Sequence, residues 1–219
     1  MYTEILKKGD LVFDVGLNLG DKSDLYLNLG CRVIGFEPLK ECYESALERF
    51  RINPNFSAKN IALDKQKGFE KIYLASYHTI SSMSQDFINE VKKERFKDYD
   101  WNHERIIQTD TLDNMISLYG KPNYIKIDVE GYEYNVLSGL TSQVGMISIE
   151  FNPELCEKTI MCIDYIDTLN NGDTKFNYVY RFDEHFKYES WVTKSEIIEY
   201  LSSINDYGFE FGDVFCKKN

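Results

Sequence analysis

Apolar positions along the chain follow two rhythms. Short β-branched and aromatic runs alternate with stretches in which apolar residues recur every three or four positions, the mark of βαβ units and a parallel sheet. Leu11-Val12-Phe13 predicts a first strand, and Asp21 to Leu29 the helix that returns. Arg32 to Phe36 predicts a second strand, Lys40 to Phe50 a helix, and Phe56 to Leu63 a third strand. A turn over residues 64–68 leads into Phe69 to Ala75, read as antiparallel. Ser84 can cap a helix carrying Phe87, Ile88 and Val91, and an irregular stretch from Phe96 to His103 follows it. Regular structure resumes with a strand at Arg105 to Gln108, a helix over Leu112 to Tyr119 and a strand at Tyr124 to Ile127. A helix over Tyr134 to Leu140 and a strand at Met146 to Ile149 come next. The last third predicts a helix at Cys156 to Leu169 and a strand at Asn177 to Arg181. It ends with a helix opened by the capping box Thr193-Lys-Ser-Glu196 and a closing strand from Phe209 to Cys216. No repeat or Pro/Gly-rich linker interrupts this order, so residues 1–219 are expected to form one compact domain.

Acidic residues punctuate the strands. Asp14, Glu37, Asp128 and Glu150 each stand where an apolar run ends. In an open parallel sheet, ligands bind in the crevice outside the carboxyl ends of the strands, so the four carboxylates are expected to converge on one cleft. Grouping buried acids is costly without a purpose. The first turn reads Asp14-Val-Gly16-Leu-Asn18-Leu-Gly20. Gly16 and Gly20 let a ligand and the following helix approach the backbone closely. The spacing is not that of the GxGxxG dinucleotide fingerprint, which serves a pyrophosphate at a helix amino end. An acid ahead of the glycines would repel phosphate and suits a cation. Glu37, ending the second strand, can accept both hydroxyls of a ribose. An adenosine carrying a cationic amino-acid tail satisfies both features.

These segments, with Phe36-Glu37-Pro38, Asn60-Ile61-Ala62-Leu63, Ser81-Ser82-Met83, Thr111-Leu112-Asp113 and Lys126-Ile127-Asp128-Val129-Glu130-Gly131, resemble the FkbM family of S-adenosylmethionine-dependent methyltransferases. Glu133, Val136-Leu137 and Gly139 continue the last block. The resemblance runs in order from about Leu11 to Glu150 and is weak beyond. It implies a Rossmann-like class I methyltransferase fold, with a mostly parallel seven-stranded sheet covered by helices on both faces. It also implies O-methylation of sugars or natural-product scaffolds, a deoxyhexose such as rhamnose fitting the family habit. By the same resemblance Asp14, Gly16, Asn18 and Gly20 contact the methionine part of the cofactor, Glu37 the ribose, and Ile61 and Ala62 the adenine. Leu17 departs from the pattern, where small residues are common, and would tighten the turn.

Methyl transfer to an alcohol needs in-line placement of the acceptor and removal of its proton. Asp128 is the first candidate for the base. Glu130 and Glu150 could orient it or hold acceptor hydroxyls, and His78, close to Ser81-Ser82, is a second base. The alternative is that Asp128 caps the next helix while Glu130 bonds backbone amides. Trp101 and His103 offer aromatic faces suited to a sugar ring, as do His185 and Trp191. The acids could also hold magnesium and acidify a diol, but no motif supplies two clustered ligands, and a metal is not expected.

Charge and composition narrow the rest. A formal charge of −11 argues against nucleic-acid and anionic-membrane partners. Lys92-Lys93-Glu94-Arg95 is the nearest basic run and reads as the wet face of a helix. Five cysteines without CxxC spacing read as reduced and structural, excluding a zinc ribbon or an iron–sulfur site. The apolar runs are too short to cross a membrane. With no leader pattern at the amino end, a cytoplasmic protein is expected. Only about ten residues precede the first strand, so no amino-terminal helix is expected over the cleft. A lid would come from Tyr77 to His103 or Pro153 to Trp191, and a homodimer or a longer polypeptide could complete the pocket. Methylation of RNA or protein, a non-catalytic nucleotide-binding module and a nicotinamide oxidoreductase are the competing functions, since one architecture hosts many chemistries.

Overall fold

A computed structural model describes residues 1–180, 183, 185–204 and 211–219. The parallel units expected from the first two-thirds of the chain are present. Strands β1 (Leu11–Val15), β2 (Arg32–Phe36) and β3 (Phe56–Lys59) alternate with helices α2 (Asp21–Asn28) and α3 (Lys40–Arg49), after a short α1 (Tyr2–Ile5). Strands β4 (Ala62–Leu63), β5 (Gly68–Leu74) and β6 (His103–Asp110) form a small sheet in the order β4-β6-β5. Helix α4 (Gln85–Val91) lies between β5 and β6, and α5 (Leu112–Tyr119) follows. Then come β7 (Tyr124–Ile127), α6 (Glu133–Leu137), β8 (Met146–Phe151), α7 (Cys156–Leu169), β9 (Thr174–Tyr180), α8 (Lys194–Ser203) and β10 (Gly212–Lys218).

The main sheet has seven strands in the order β3-β2-β1-β7-β8-β10-β9, with β10 antiparallel to both neighbours. This is the expected Rossmann-like class I architecture. One face carries Phe13, Ile125, Ile127 and Ile149 against the apolar sides of α5 to α8. The other carries Val12, Val33, Tyr124 and Phe215 against Tyr26 of α2, Leu6 and Tyr2. Strands buried on both faces read as continuous apolar runs, as these do. Among the described residues no helix is long and apolar enough to cross a membrane.

The third predicted strand does not run through to Leu63. Asn60 donates its side-chain amide to the carbonyls of Glu37 and Pro38, both at 2.9 Å. That contact ends β3 and turns Ala62-Leu63 into the small sheet, where it pairs with Thr109 and Asp110. The predicted strand at Arg105 to Gln108 is longer at both ends because all of β5 pairs with it. The helix expected to reach Leu140 stops at Leu137. The amino-terminal segment does contain a helix, but it packs through Tyr2 on Tyr26 and Phe215, and none of its residues lines the cleft. The predicted start of the last strand at Phe209 and the end of another at Arg181 lie outside the described residues.

Candidate active site

The turn after β1 is bound to the end of β2. Gly16 and Leu17 both donate backbone N–H groups to the Phe36 carbonyl, each at 3.1 Å, and Asn18 donates to the Glu37 carboxylate at 2.8 Å. Gly16 has φ 81°, and a Cβ there would lie 1.8 Å from the Asp128 carbonyl oxygen. Only glycine allows this approach. It sets the first turn against the turn after β7, and both open into a cavity of about 340 Å³, within the ~300–1,000 Å³ range of ligand sites.

Glu37 is buried, with its other oxygen accepting from Leu39 N–H at 2.8 Å. Burial pushes its carboxyl up to about 7, against the pull of those amides and of Lys126. Asp14 lies beneath the cleft and not along it. Ser23 Oγ donates to it at 2.6 Å, and Lys126 Nζ is 3.5 Å from its second oxygen. Burial raises its proton affinity, and Lys126 and Ser23 oppose the rise.

Lys126 is a candidate site residue that sequence reasoning passed over. It stands in Tyr-Ile-Lys-Ile, a strand buried throughout, and its ammonium is 3.1 Å from Asp128. Burial disfavours its charge, but Asp128, Asp14 and Asp213 outweigh burial and hold it protonated. A lysine within an otherwise apolar strand was the available signal, because a buried charge must be paired.

Asp128, Glu130 and Glu150 meet as expected. Their oxygens lie within 4.8 Å of one another. A divalent cation could bridge that spacing. Glu150 is raised well above the ordinary carboxylate range by burial, then by the charges of Glu130, Asp128 and Glu133. Asn152 Nδ2 donates to it at 2.9 Å.

The amides of this turn are held by Glu133, and not by Glu130. One Glu133 oxygen accepts from Val129 and Gly131 N–H, each at 3.1 Å. Its carboxyl is pushed up to about 7, mainly by burial. Glu130 lines the cleft, from a left-handed backbone at φ 54°. Strain of this kind gathers at functional sites when the surroundings enforce it.

Other predicted residues fall in three places. Asn18, Ala62, His78 and Ser81 line the cleft, whereas Ile61 packs into the core and Gly20 sits behind the turn against Phe50. The Nδ1 atom of His78 is buried and lacks a hydrogen-bond partner among the described residues. Ser82 is 1% exposed and faces away; its hydroxyl donates to the Glu130 carbonyl at 2.6 Å. Trp101 is a core residue bonded through Nε1 to the Ile80 carbonyl, and His103 is exposed outside the cleft. Tyr77 and Tyr132, not singled out from the sequence, line it instead.

The cradle fits an S-adenosylmethionine molecule. The left-handed turn accepts close backbone contact, the Glu37 carboxylate lines the cleft beside it, and the buried Oδ1 of Asn18 lacks a hydrogen-bond partner among the described residues. Such an acceptor suits the ammonium of an amino-acid tail.

The fold has a counterpart among solved structures. A precorrin-6y C5,15-methyltransferase from Geobacter metallireducens superposes with a TM-score of 0.51 at 7% identity, covering 99% of this chain and 85% of that one. A fibrillarin from Aeropyrum pernix with natively bound S-adenosyl-L-methionine gives 0.47 at 11% identity, covering 96% and 67%. No curated protein sequence matches the chain. Residues 14–211 match the methyltransferase FkbM domain. The chain thus belongs to the FkbM family of S-adenosylmethionine-dependent methyltransferases.

Proposed function

We propose that the protein methylates a hydroxyl of a sugar, glycan or natural-product scaffold. The observation that carries this reading is the group of Asp128, Glu130 and Glu150 facing the cofactor cleft. S-adenosylmethionine supplies an electrophilic methyl carbon and leaves as the neutral thioether. An alcohol acceptor must lose its proton as its oxygen bonds that carbon. Three carboxylates this close cannot all be ionised readily, so they form a set with one strongly held proton site. Glu150, the most buried of the three, is the proton acceptor, and the amide that Asn152 donates to it favours the ionised form this needs. Asp128, one oxygen engaged by Lys126, orients an acceptor hydroxyl together with Glu130. His78 stands at the cleft wall as an alternative base.

The acid-rich wall suits a neutral polyol and disfavours phosphorylated acceptors and RNA. The reading is tested by incubating the protein with methyl-labelled S-adenosylmethionine and neutral glycosides, including a methyl rhamnoside, beside RNA and protein mixtures. Label on a glycoside oxygen, abolished in Glu150→Gln while S-adenosylhomocysteine still binds, is the expected result. Label found only on RNA or protein, or an unchanged rate in Glu150→Gln, would overturn it.

A further inference from the structure

The basic run after α4 is not simply a solvated face. Arg95 turns inward, its side chain 9% exposed. Its guanidinium donates to Asn152 Oδ1 at 2.6 Å, and its Nε lies 2.9 Å from a Glu154 oxygen that is equally buried. The same guanidinium sits over the rings of Phe96 at 4.9 Å and Phe211 at 5.3 Å, and Phe211 lines the cleft. A buried charged pair costs desolvation energy that hydrophobic packing would avoid, so its presence here calls for a role.

The consequence lies one residue further on. An asparagine amide has an accepting and a donating end, and its neighbours decide which way it faces. Arg95 can only donate, so it takes the oxygen and turns the amide NH₂ toward Glu150, which it meets at 2.9 Å. Asn152 is 3% exposed, which leaves it little room for another arrangement. The charges that act most on Glu150 are those of Glu130, Asp128 and Glu133, all acidic; Asp213 stands opposite it on β10, and Lys126 lines the same cleft, bound to Asp128. The amide is thus a donor set against three like charges.

We propose that Arg95 and Asn152 are positioning residues. Arg95 fixes the Asn152 amide, and Asn152 holds the Glu150 carboxylate in its cleft-facing direction and favours its ionised form. The segment between β5 and β6, which also supplies Tyr77, His78 and Ser81 to the cleft wall, is thereby tied to the acid. This inference rests on Glu150 facing the acceptor.

The test uses the full chain without acceptor, so that a failed relay and a failed acceptor assignment are told apart. Carboxyl-carbon NMR would follow the Glu150 signal across pH, assigned by its loss in Glu150→Gln. Asn152→Leu and Arg95→Met are expected to raise the proton affinity of Glu150 by roughly tenfold, about one pH unit in midpoint. S-adenosylhomocysteine affinity should stay unchanged. Glu154→Gln, which touches Arg95 and not the amide, should leave the midpoint in place. Should Arg95→Met not fold, Arg95→Lys keeps a cation and a donor at the site and is expected to fall between. A midpoint unchanged in folded Asn152→Leu would overturn the proposal.

Discussion

Glu37 and Glu133 are buried carboxyls with opposite consequences for stability and for binding. Both are pushed from the ordinary 4.5 up to about 7, chiefly by burial. Between those limits the folded protein holds protons that the unfolded chain has released. The stabilisation from these two groups is therefore complete below 4.5 and lost as pH rises toward 7. Ribose hydroxyls, in contrast, donate best to the ionised Glu37. The apo protein should melt at progressively lower temperature as pH is raised across that window. Its affinity for S-adenosylhomocysteine should be roughly tenfold weaker at pH 6 than at pH 8. Calorimetric titration over the range checks the second effect, and a flat affinity would remove Glu37 from the ribose site. Glu130 makes a separate case. Its left-handed backbone, at φ 54°, costs about 1–3 kcal/mol for a residue with a side chain. Glu130→Gly should melt no lower than the parent while methyl transfer falls by roughly a hundredfold. If the rate survives, the Glu130 carboxylate has no part in the chemistry.

At the scale of elements, the turns after β1 and β7 behave as one piece because Gly16 packs on the Asp128 carbonyl. Gly16→Ala combines a left-handed φ with a backbone clash, whereas Gly172→Ala has a similar φ, 78°, and nothing within 4 Å. The first should cost at least about 2 kcal/mol and abolish S-adenosylhomocysteine binding; the second should cost about 1 kcal/mol and leave binding intact. Denaturant melts and calorimetry on the pair separate strain from clash. The same contact explains what could be read from the sequence. Strands β1, β2, β7 and β8 and the acids at their ends were legible, because strand periodicity and the polarity of loops are local properties. Residues defined by a distant partner were not. Asn60 breaks β3 through carbonyls of Glu37 and Pro38, and Ser82 spends its hydroxyl on Glu130. Trp101 fills a small core beside Phe87 and Val91. Lys126 was missed for a different reason, since the strand it belongs to was read for its apolar residues.

Across the whole molecule, two electric fields act on the cofactor and can be separated. The formal charge of −11 produces a long-range potential that salt removes, as the Debye length falls from about 30 Å at 0.01 M to about 3 Å at 1 M. The carboxylates around the cleft act at short range in a partly buried setting and are screened far less. S-adenosylmethionine and S-adenosylhomocysteine differ in one methyl and one positive charge, so the ratio of their affinities reads the field at the sulfur. The sulfonium form should bind more tightly at low salt, and part of that preference should survive at 1 M. Glu130→Gln should weaken the surviving part and leave the salt-dependent part nearly unchanged. A preference that disappears entirely at high salt would assign the attraction to the overall charge and take the three acids away from the methyl. The direction of this effect also bears on turnover. Once the methyl has left, the same acids no longer attract the ligand, so the product thioether should be held less firmly than the donor it replaces.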